Sequence, residues 1–500
     1  MHELHSPQEA ARWLRQRVTG VLRTDSRQVQ PGDGFIAWPG AVTDGRHYLD
    51  KALAQGAAAC LMAAEGSEPW RDLQPTDRLA ALPQLKVLTG LVADAYYEQP
   101  SQRLDVLAVT GTNGKTSTAW WLAQALSSPV LQRSCALVGT LGVGVLPDLE
   151  VTGMTTPDPV LVQARFKAFA DAGVDFCAIE ASSIGLAEHR LDGTRIRTAI
   201  FTNFTQDHLD YHGSMAAYWE AKRALFGWDG LQAAVINVDD TQGAVLAQAL
   251  SATSLDVWTC SRHGAARLQA RMQPSLQGLS FEVIEGAESL RLDTALIGDY
   301  NVDNLLGVIA ALRSVGIPLA QAVQACQHLS AVPGRMERVG LDMSGPLALV
   351  DYAHTPDAVT QALSALQSLA RQRGGQLWCV LGCGGDRDPG KRPLMAAAAE
   401  ALAEHVVLTS DNPRSESPQA ILDQMVAGLI RPAQVQVVVD RAEAIALAVA
   451  RAQPQDVVLV AGKGHEDYQD VQGVRLPFSD VQQLQRALQS RHAQTAGVTA

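Results

Sequence analysis

Residues 109–117 read V-T-G-T-N-G-K-T-S, and this stretch decides the fold. It follows an apolar run at residues 104–109, L-D-V-L-A-V, that reads as a buried strand. It precedes residues 118–126, T-A-W-W-L-A-Q-A-L, which read as a helix. Strand, glycine loop and helix in that order predict a phosphate cradle. Gly111 and Gly114 let the backbone turn tightly around Thr112 and Asn113, and the helix N-terminus offers free N–H groups to an anion. Lys115 adds a point charge for terminal phosphates, Thr116 offers a hydroxyl suited to Mg²⁺, and Ser117 follows it into the helix. The usual phosphate-loop pattern has Gly where Val109 stands, so the match is a variant. An ordinary glycine turn is the alternative, but it leaves the Lys-Thr pair at the strand–helix junction without a reason.

The 500 residues, 47% of them hydrophobic, suffice for two to four domains, each with a core of its own. A net charge of −12 argues against a nucleic-acid partner, whose footprint is a concentrated basic patch. It leaves anionic small substrates open, because local Lys and Arg decide those. No apolar run reaches membrane-spanning length and no cationic-then-apolar leader is seen, so a cytoplasmic protein is expected. The seven cysteines are scattered without a metal-like CxxC pair, which predicts reduced thiols. Cys379 and Cys383 read as packing residues rather than a redox pair.

Three α/β domains are expected: residues 1–100, 101–332 and 333–490. The first opens on a cap and an amphipathic helix, M-H-E-L-H-S-P-Q-E-A, and contains D-S-R-Q-V-Q-P-G-D-G-F-I-A at 25–37. That polar segment is either a surface hairpin or a ligand loop. The second carries strand-like runs at 176–180, 197–202 and 233–238 between alanine-rich helices, which implies a mainly parallel sheet. Glu180, Asn203 and Asp239 stand at or just after strand ends, where such sheets bind ligands. The third, a Rossmann-like α/β domain, has strands expected at 347–350, 377–381, 406–408, 435–439 and 457–460, with a boundary at Pro333-Gly334. The residues from Ser490 onward lack periodicity and are expected to fray.

Glu180 and His208 are the candidate metal partners of the loop, with Thr116; Mg²⁺ prefers the oxygens among these donors. Lys222, in the helix-like run Y-W-E-A-K-R-A-L-F at 218–226, reads from periodicity as a surface lysine. Three polar, glycine-rich clusters follow strands of the third domain: G-C-G-G-D-R-D-P-G-K-R-P at 382–393, S-D-N-P-R-S-E at 410–416 and A-G-K-G-H-E at 461–466. Together they line one crevice with arginines, carboxylates and backbone N–H groups, which suits an amino-acid ligand.

These residues resemble the Mur ligase family of peptidoglycan synthesis, over nearly the whole chain. The segments that carry the resemblance are D-S-R…P-G-D, T-G-T-N-G-K-T, T-T-P-D-P at 155–159, E-A-S-S at 180–183 and D-H-L-D-Y-H-G at 207–213. Y-N-V-D-N-L at 300–305, V-P-G-R-M-E at 332–337 and D-Y-A-H-T-P at 351–356 complete the set. The resemblance implies that Asp25, Ser26 and Arg27 lie near the uridine-diphosphate end of a UDP-MurNAc-L-Ala-D-Glu substrate. It implies that Thr155, Thr156, Ser182, Glu188 and Arg190 contact that substrate, and that Asn301, Arg335 and Asp351 hold ATP. It makes Glu180 and His208 Mg²⁺ ligands and Lys222 an N-carboxylysine. Arg387, Asp411, Asn412, Arg414, Gly462 and Glu466 match the version of the family that adds meso-diaminopimelate. Arg414 suits its extra carboxylate and Glu466 its extra ammonium; lysine would leave Arg414 unpaired. One departure stands out: Ile184 and Glu188 replace the His and Gln of many relatives. Glu188 either weakens binding of an anionic substrate or pairs locally with His189 or Arg190.

The implied reaction is ATP-dependent amide formation through an acyl phosphate, by a monomer that closes its three domains around the ligands. Lys115 and Mg²⁺ offset charge on the transferring phosphoryl group, and no base is assigned to the attacking amine; His208 stands too near the metal for that part. The alternatives are a lysine-adding or folylpolyglutamate-type ligase, or a nucleotide-switched binding protein. A switch needs no amino-acid crevice.

Overall fold

The computed structural model describes residues 1–500 except 41–42, 71–72, 74–75, 276–277, 341–344 and 499–500. Among the described residues the strands form three main sheets and one two-stranded hairpin. The first sheet is wholly parallel, in the order His2–Glu3, Leu79–Leu82, Ala59–Ala63, Gly34–Ala37, Leu22–Arg23. Ser6 caps the helix Pro7–Arg15 by accepting from the Glu9 amide, as the sequence predicts. The segment at 25–37 is not a hairpin. Asp25 caps a short turn, Ser26–Gln28, and the chain then enters a strand parallel to its neighbour.

The second sheet has eleven strands. Its seven parallel strands run in the order Leu268–Gln273, Asp256–Ser261, Ala233–Asn237, Ile196–Phe201, Asp105–Thr110, Phe176–Glu180, Cys135–Gly139. Two antiparallel strands extend each edge: Leu279–Glu285 with Glu288–Thr294, and Gly142–Val145 with Asp148–Glu150. These edges were not legible as separate strands, because edge hairpins are short, polar and lack a strong alternation. In the central strand, Leu107 and Val109 enter one core layer and Val106 and Ala108 the other. That alternation, buried on both faces, is why the strand reads as a continuous apolar run. The helices Lys115–Leu126 and Tyr300–Ser314 cover one face. The first begins at Lys115 rather than 118, so the Lys-Thr-Ser segment is already helical.

The third sheet orders Glu337–Val339, Leu347–Asp351, Val457–Ala461, Leu377–Cys383, His405–Ser410, Gln436–Val437, with only the first strand antiparallel. All seven cysteines are buried and unpaired, Cys379 and Cys383 in one apolar layer of this unit. The last helix, Asp480–Val498, continues past Ser490, where fraying was expected. Helix propagation costs little once nucleated, and Ala, Gln and Arg sustain it without periodicity.

Candidate active site

Register aligns the ends of the parallel strands of the second sheet. Glu180 pairs with Val109, and Phe201 with Thr110, so the phosphate loop, Glu180 and residues 202–203 emerge at one edge. Gly111 and Gly114 both have positive φ, at 149° and 85°. At Gly114 a Cβ would also run into the Asn304 side-chain oxygen. The loop is clamped from outside: the Asn113 amide donates to Asn203 Oδ1 at 2.8 Å, and Thr202 Oγ1 donates to the Asn113 carbonyl at 2.5 Å. Lys115 Nζ donates to the carbonyls of Gly111 and Thr112, at 2.9 and 2.8 Å. Burial lowers its pKa, partly offset by the charges of Glu180 and Asp207. Ser117 is buried in the first turn of the helix.

Glu180 is 1% exposed and organises the neighbouring hydroxyls. Thr116 Oγ1 donates to its Oε2 at 2.9 Å, and the Thr140 amide to its Oε1 at 2.8 Å. Thr140 Oγ1 lies 3.0 Å from Thr155 Oγ1. Thr156 Oγ1 donates to the Glu180 carbonyl at 2.7 Å and meets Ser182 Oγ at 2.9 Å. Arg190 donates to the Thr156 carbonyl at 2.9 Å. The residues singled out at 155, 156, 180, 182 and 190 thus form one hydrogen-bonded track from the phosphate loop. Thr140 was not singled out; it sits on the turn of an edge hairpin, which carries no motif. Arg27 lies outside this track and pairs with Asp25 at 2.7 Å on the surface, beside the buried Ser26.

Lys222 is 1% exposed, which overturns the surface reading. The helix Met215–Arg223 turns it inward, where Nζ donates to the Gly111 carbonyl at 2.6 Å and lies 4.5 Å from the Tyr218 ring centre. Burial drives its pKa far down, and the charge of Lys115 adds to the effect. His208 has φ 53° and lies 3.4 Å from the Asp207 carboxylate. Burial lowers its pKa and Asp207 opposes that shift.

The third unit reaches this edge directly. Arg335 approaches Thr116 Oγ1 at 3.4 Å and stacks 4.3 Å from the Tyr352 ring centre. Asn113 Nδ2 donates to Asp357 Oδ2 at 3.2 Å. Asp351 accepts from the Met336 amide at 2.7 Å, fixing the backbone beside Arg335. Asn301 bonds the Ile297 carbonyl and accepts from Asn304 at 3.0 Å. Tyr352 also packs 5.4 Å from His465, which leads to the three glycine-rich clusters.

Those clusters meet. Asn412 donates to Glu466 Oε2 at 2.7 Å, and Lys463 bridges Asn412 Oδ1 at 3.0 Å and Glu466 Oε2 at 2.9 Å. Glu466 Oε1 has no hydrogen-bond partner among the described residues, and burial raises the carboxyl pKa against the pull of Lys463. Arg414, at φ 51°, donates to the Gly385 carbonyl at 2.6 Å, with Arg387 exposed on the same loop. Gly462, at φ 116°, turns the chain beside the Asp411 carboxylate. Three buried supporting residues were not singled out: Arg392 and Lys463, which lie within two of the quoted clusters, and Arg441, which lies outside all three. Arg441 pairs with Asp480 at 2.7 Å and donates to the carbonyls of Ser410 and Ala461; Arg392 pairs with Glu416 at 2.7 Å.

A phosphate-loop cradle and a hydroxyl–carboxylate track, with the polar clusters of a third unit joined to them through Arg335, Tyr352 and His465, describe a ligase-type site. The chain belongs to the Mur ligase family. The Mur ligase middle domain matches residues 109–312, the Mur ligase glutamate ligase domain 334–464, and the Mur ligase family catalytic domain 19–92. It is 60% identical over 498 residues to a UDP-N-acetylmuramoyl-L-alanyl-D-glutamate--2,6-diaminopimelate ligase of Acidovorax sp. (strain JS42), covering 98% of this chain and 99% of the relative. A Janthinobacterium sp. (strain Marseille) protein of the same name is 47% identical over 95% of each chain. A solved structure of that name is 37% identical, covers 94% of this chain and 95% of its own, and superposes with a TM-score of 0.64. MurF of Thermotoga maritima in complex with ADP shares the fold at 16% identity and a TM-score of 0.65, covering 97% of this chain and 99% of its own.

Proposed function

We propose that this chain joins meso-diaminopimelate to the D-Glu γ-carboxylate of UDP-MurNAc-L-Ala-D-Glu, at the expense of ATP, in peptidoglycan synthesis. The observation that carries this reading is the continuous track from Lys115 through Thr116, Glu180 and Thr140 to Thr155, with Arg335 of the third unit touching it. The names of relatives that match over nearly the full length support the same substrates.

In this reading residues 111–117 hold the ATP phosphates, with Asn301, Arg335 and Asp351 around the nucleotide. Ser26, Arg27, Thr155, Thr156, Ser182 and Arg190 hold the UDP-linked acceptor. A γ-carboxylate oxygen attacks the ATP γ-phosphorus, ADP leaves, and Lys115 balances charge on the phosphoryl group in flight. The diaminopimelate amine then adds to the acyl-phosphate carbonyl, and the intermediate expels phosphate and loses the amine proton. Arg387, Arg414, Asp411, Asn412, Gly462 and Glu466 orient the amino acid; Glu466 Oε1 offers the acceptor for its distal ammonium.

Mg²⁺ fits the donor set. Thr116 and Glu180 present a hydroxyl and a carboxylate side by side, and Mg²⁺ takes few protein oxygens together with substrate phosphates. The family resemblance adds His208 to these ligands, and the ion, when bound, would neutralise phosphate charge. Burial disfavours the charged form of Lys222, which suits its amine to add CO₂ with loss of a proton, giving the N-carboxylysine of the family. The three units divide near residues 100 and 332 and close around the ligands, in a monomer of the cytoplasm. No helix of the described residues is long and apolar enough to cross a membrane.

Phosphate release with ATP, Mg²⁺ and UDP-MurNAc-L-Ala-D-Glu tests the reading, with meso-diaminopimelate compared with L-lysine and products identified by mass. Turnover with meso-diaminopimelate alone is expected. Turnover with lysine alone would keep the reaction and overturn the amino-acid assignment.

A further inference from the structure

Glu188 is the departure that neither expected pairing explains. His189 is engaged with Asp192 at 2.9 Å, and Arg190 with the Thr156 carbonyl. Instead Glu188 reaches the first unit: its Oε2 lies 2.8 Å from Lys86 Nζ. Its Oε1 accepts from the Tyr211 hydroxyl at 2.5 Å. Burial raises the carboxyl pKa, but Lys86, Tyr211 and Arg190 together outweigh it and the net shift is downward.

The pair sits on a seam. Lys86, Gly90 and Asp94 fall four residues apart on the helix Leu85–Tyr96, so they share one face. That face runs along residues 188–193: Gly90 lies so close to the Asp192 carbonyl that a Cβ would collide, and Gly193 lies against Asp94. At the other end, Tyr211 stands on the turn Leu209–His212, directly after Asp207 and His208. His212 meets Ser183 Oγ at 3.0 Å and ties the same turn to the helix that precedes Glu188. A carboxylate has two acceptor oxygens and a full charge, so it can hold a lysine and a phenol at once; an amide offers one oxygen and no charge.

We propose that Glu188 is a positioning residue that couples the seating of the first unit, through Lys86, to the placement of the Asp207–His208 turn, through Tyr211. The inference rests on the proposed function, because it joins the part assigned to the UDP end with the part assigned to the phosphates.

The test is hydrogen exchange of the full chain, alongside kinetics with the UDP-linked acceptor, in Lys86→Met, Glu188→Gln, Tyr211→Phe and the double variant Lys86→Met/Glu188→Gln. Lys86 lies on a different unit from residues 207–213. Exchange in that segment should nevertheless rise about two- to fivefold in Lys86→Met, and the acceptor KM should rise by a similar factor with kcat less affected. Glu188→Gln should behave like Lys86→Met, and the double variant should exceed neither by more than about twofold, because both changes break the same chain of contacts. Unchanged exchange at 207–213 in Lys86→Met, or fully additive effects in the double variant, would overturn the coupling. Absence of turnover in the unmodified protein would instead count against the proposed function, and the exchange data would still decide the tie.

Discussion

At the phosphate loop, residues 110–117 are shaped by a strand end and two glycines at positive φ, and clamped by uncharged side chains: Thr202 Oγ1 donates to the Asn113 carbonyl and Asn203 Oδ1 accepts from the Asn113 amide. In the third unit, the loops around residues 384–392, 410–416 and 461–466 are held by side-chain charge, through Arg392–Glu416, Arg441–Asp480 and Lys463–Glu466. The first arrangement uses uncharged partners 89 and 90 residues away, which arrive at the end of the neighbouring strand. The second depends on charged partners, 24 and 39 residues apart, whose cationic members are buried. Loss of a partner therefore costs a neutral hydrogen bond at the phosphate loop, whereas in the third unit it strands a buried charge.

Four changes sharpen or break this contrast. Lys115→Met should cut phosphate release on the order of a thousandfold, because it removes the point charge aimed at the phosphoryl group, while urea unfolding stays near that of the parent. A loss below tenfold would show that the loop backbone alone carries the chemistry. Arg441→Met should cost roughly 3 kcal/mol in urea unfolding, since it strands the buried Asp480 carboxylate. Little change there would remove the distinction between the two regions. Arg414→Met should lower kcat/KM for meso-diaminopimelate about a hundredfold, with the KM for ATP steady. Equal losses for both substrates would make Arg414 a structural residue of its loop.

The smallest effect is expected for Glu416→Gln, and it is a pH effect. The Arg392 guanidinium holds the Glu416 carboxyl down at about 2, against an ordinary 4.5. A depressed acid contributes stability that is complete above its unfolded pKa and disappears as pH falls through the folded one. The parent should therefore lose this contribution between about pH 4.5 and 2, and the variant should show a flatter acid limb in thermal melts. Parallel limbs in the two proteins would show that the pair adds nothing.

The phosphate loop, the strand ends at 180 and 202 and the three polar clusters were legible because each is local: a buried strand leaves an apolar run, and a tight turn demands glycine. Lys222 was not. Its helix carries no strong apolar stripe, and only the packing of Tyr218 and the loop at Gly111 decides that the ammonium is buried. Glu188 was read as a departure, yet its partners, Lys86 and Tyr211, lie 102 residues before it and 23 after it in the numbering.

The sequence by itself determined the parallel α/β units, the glycine loop at a strand–helix junction and the polar character of the third unit's three clusters, because periodicity and turn chemistry are short-range. Only the tertiary structure decided which charges are buried and with whom they pair. Desolvation and Coulomb attraction depend on distances in space, and no spacing along the chain records them.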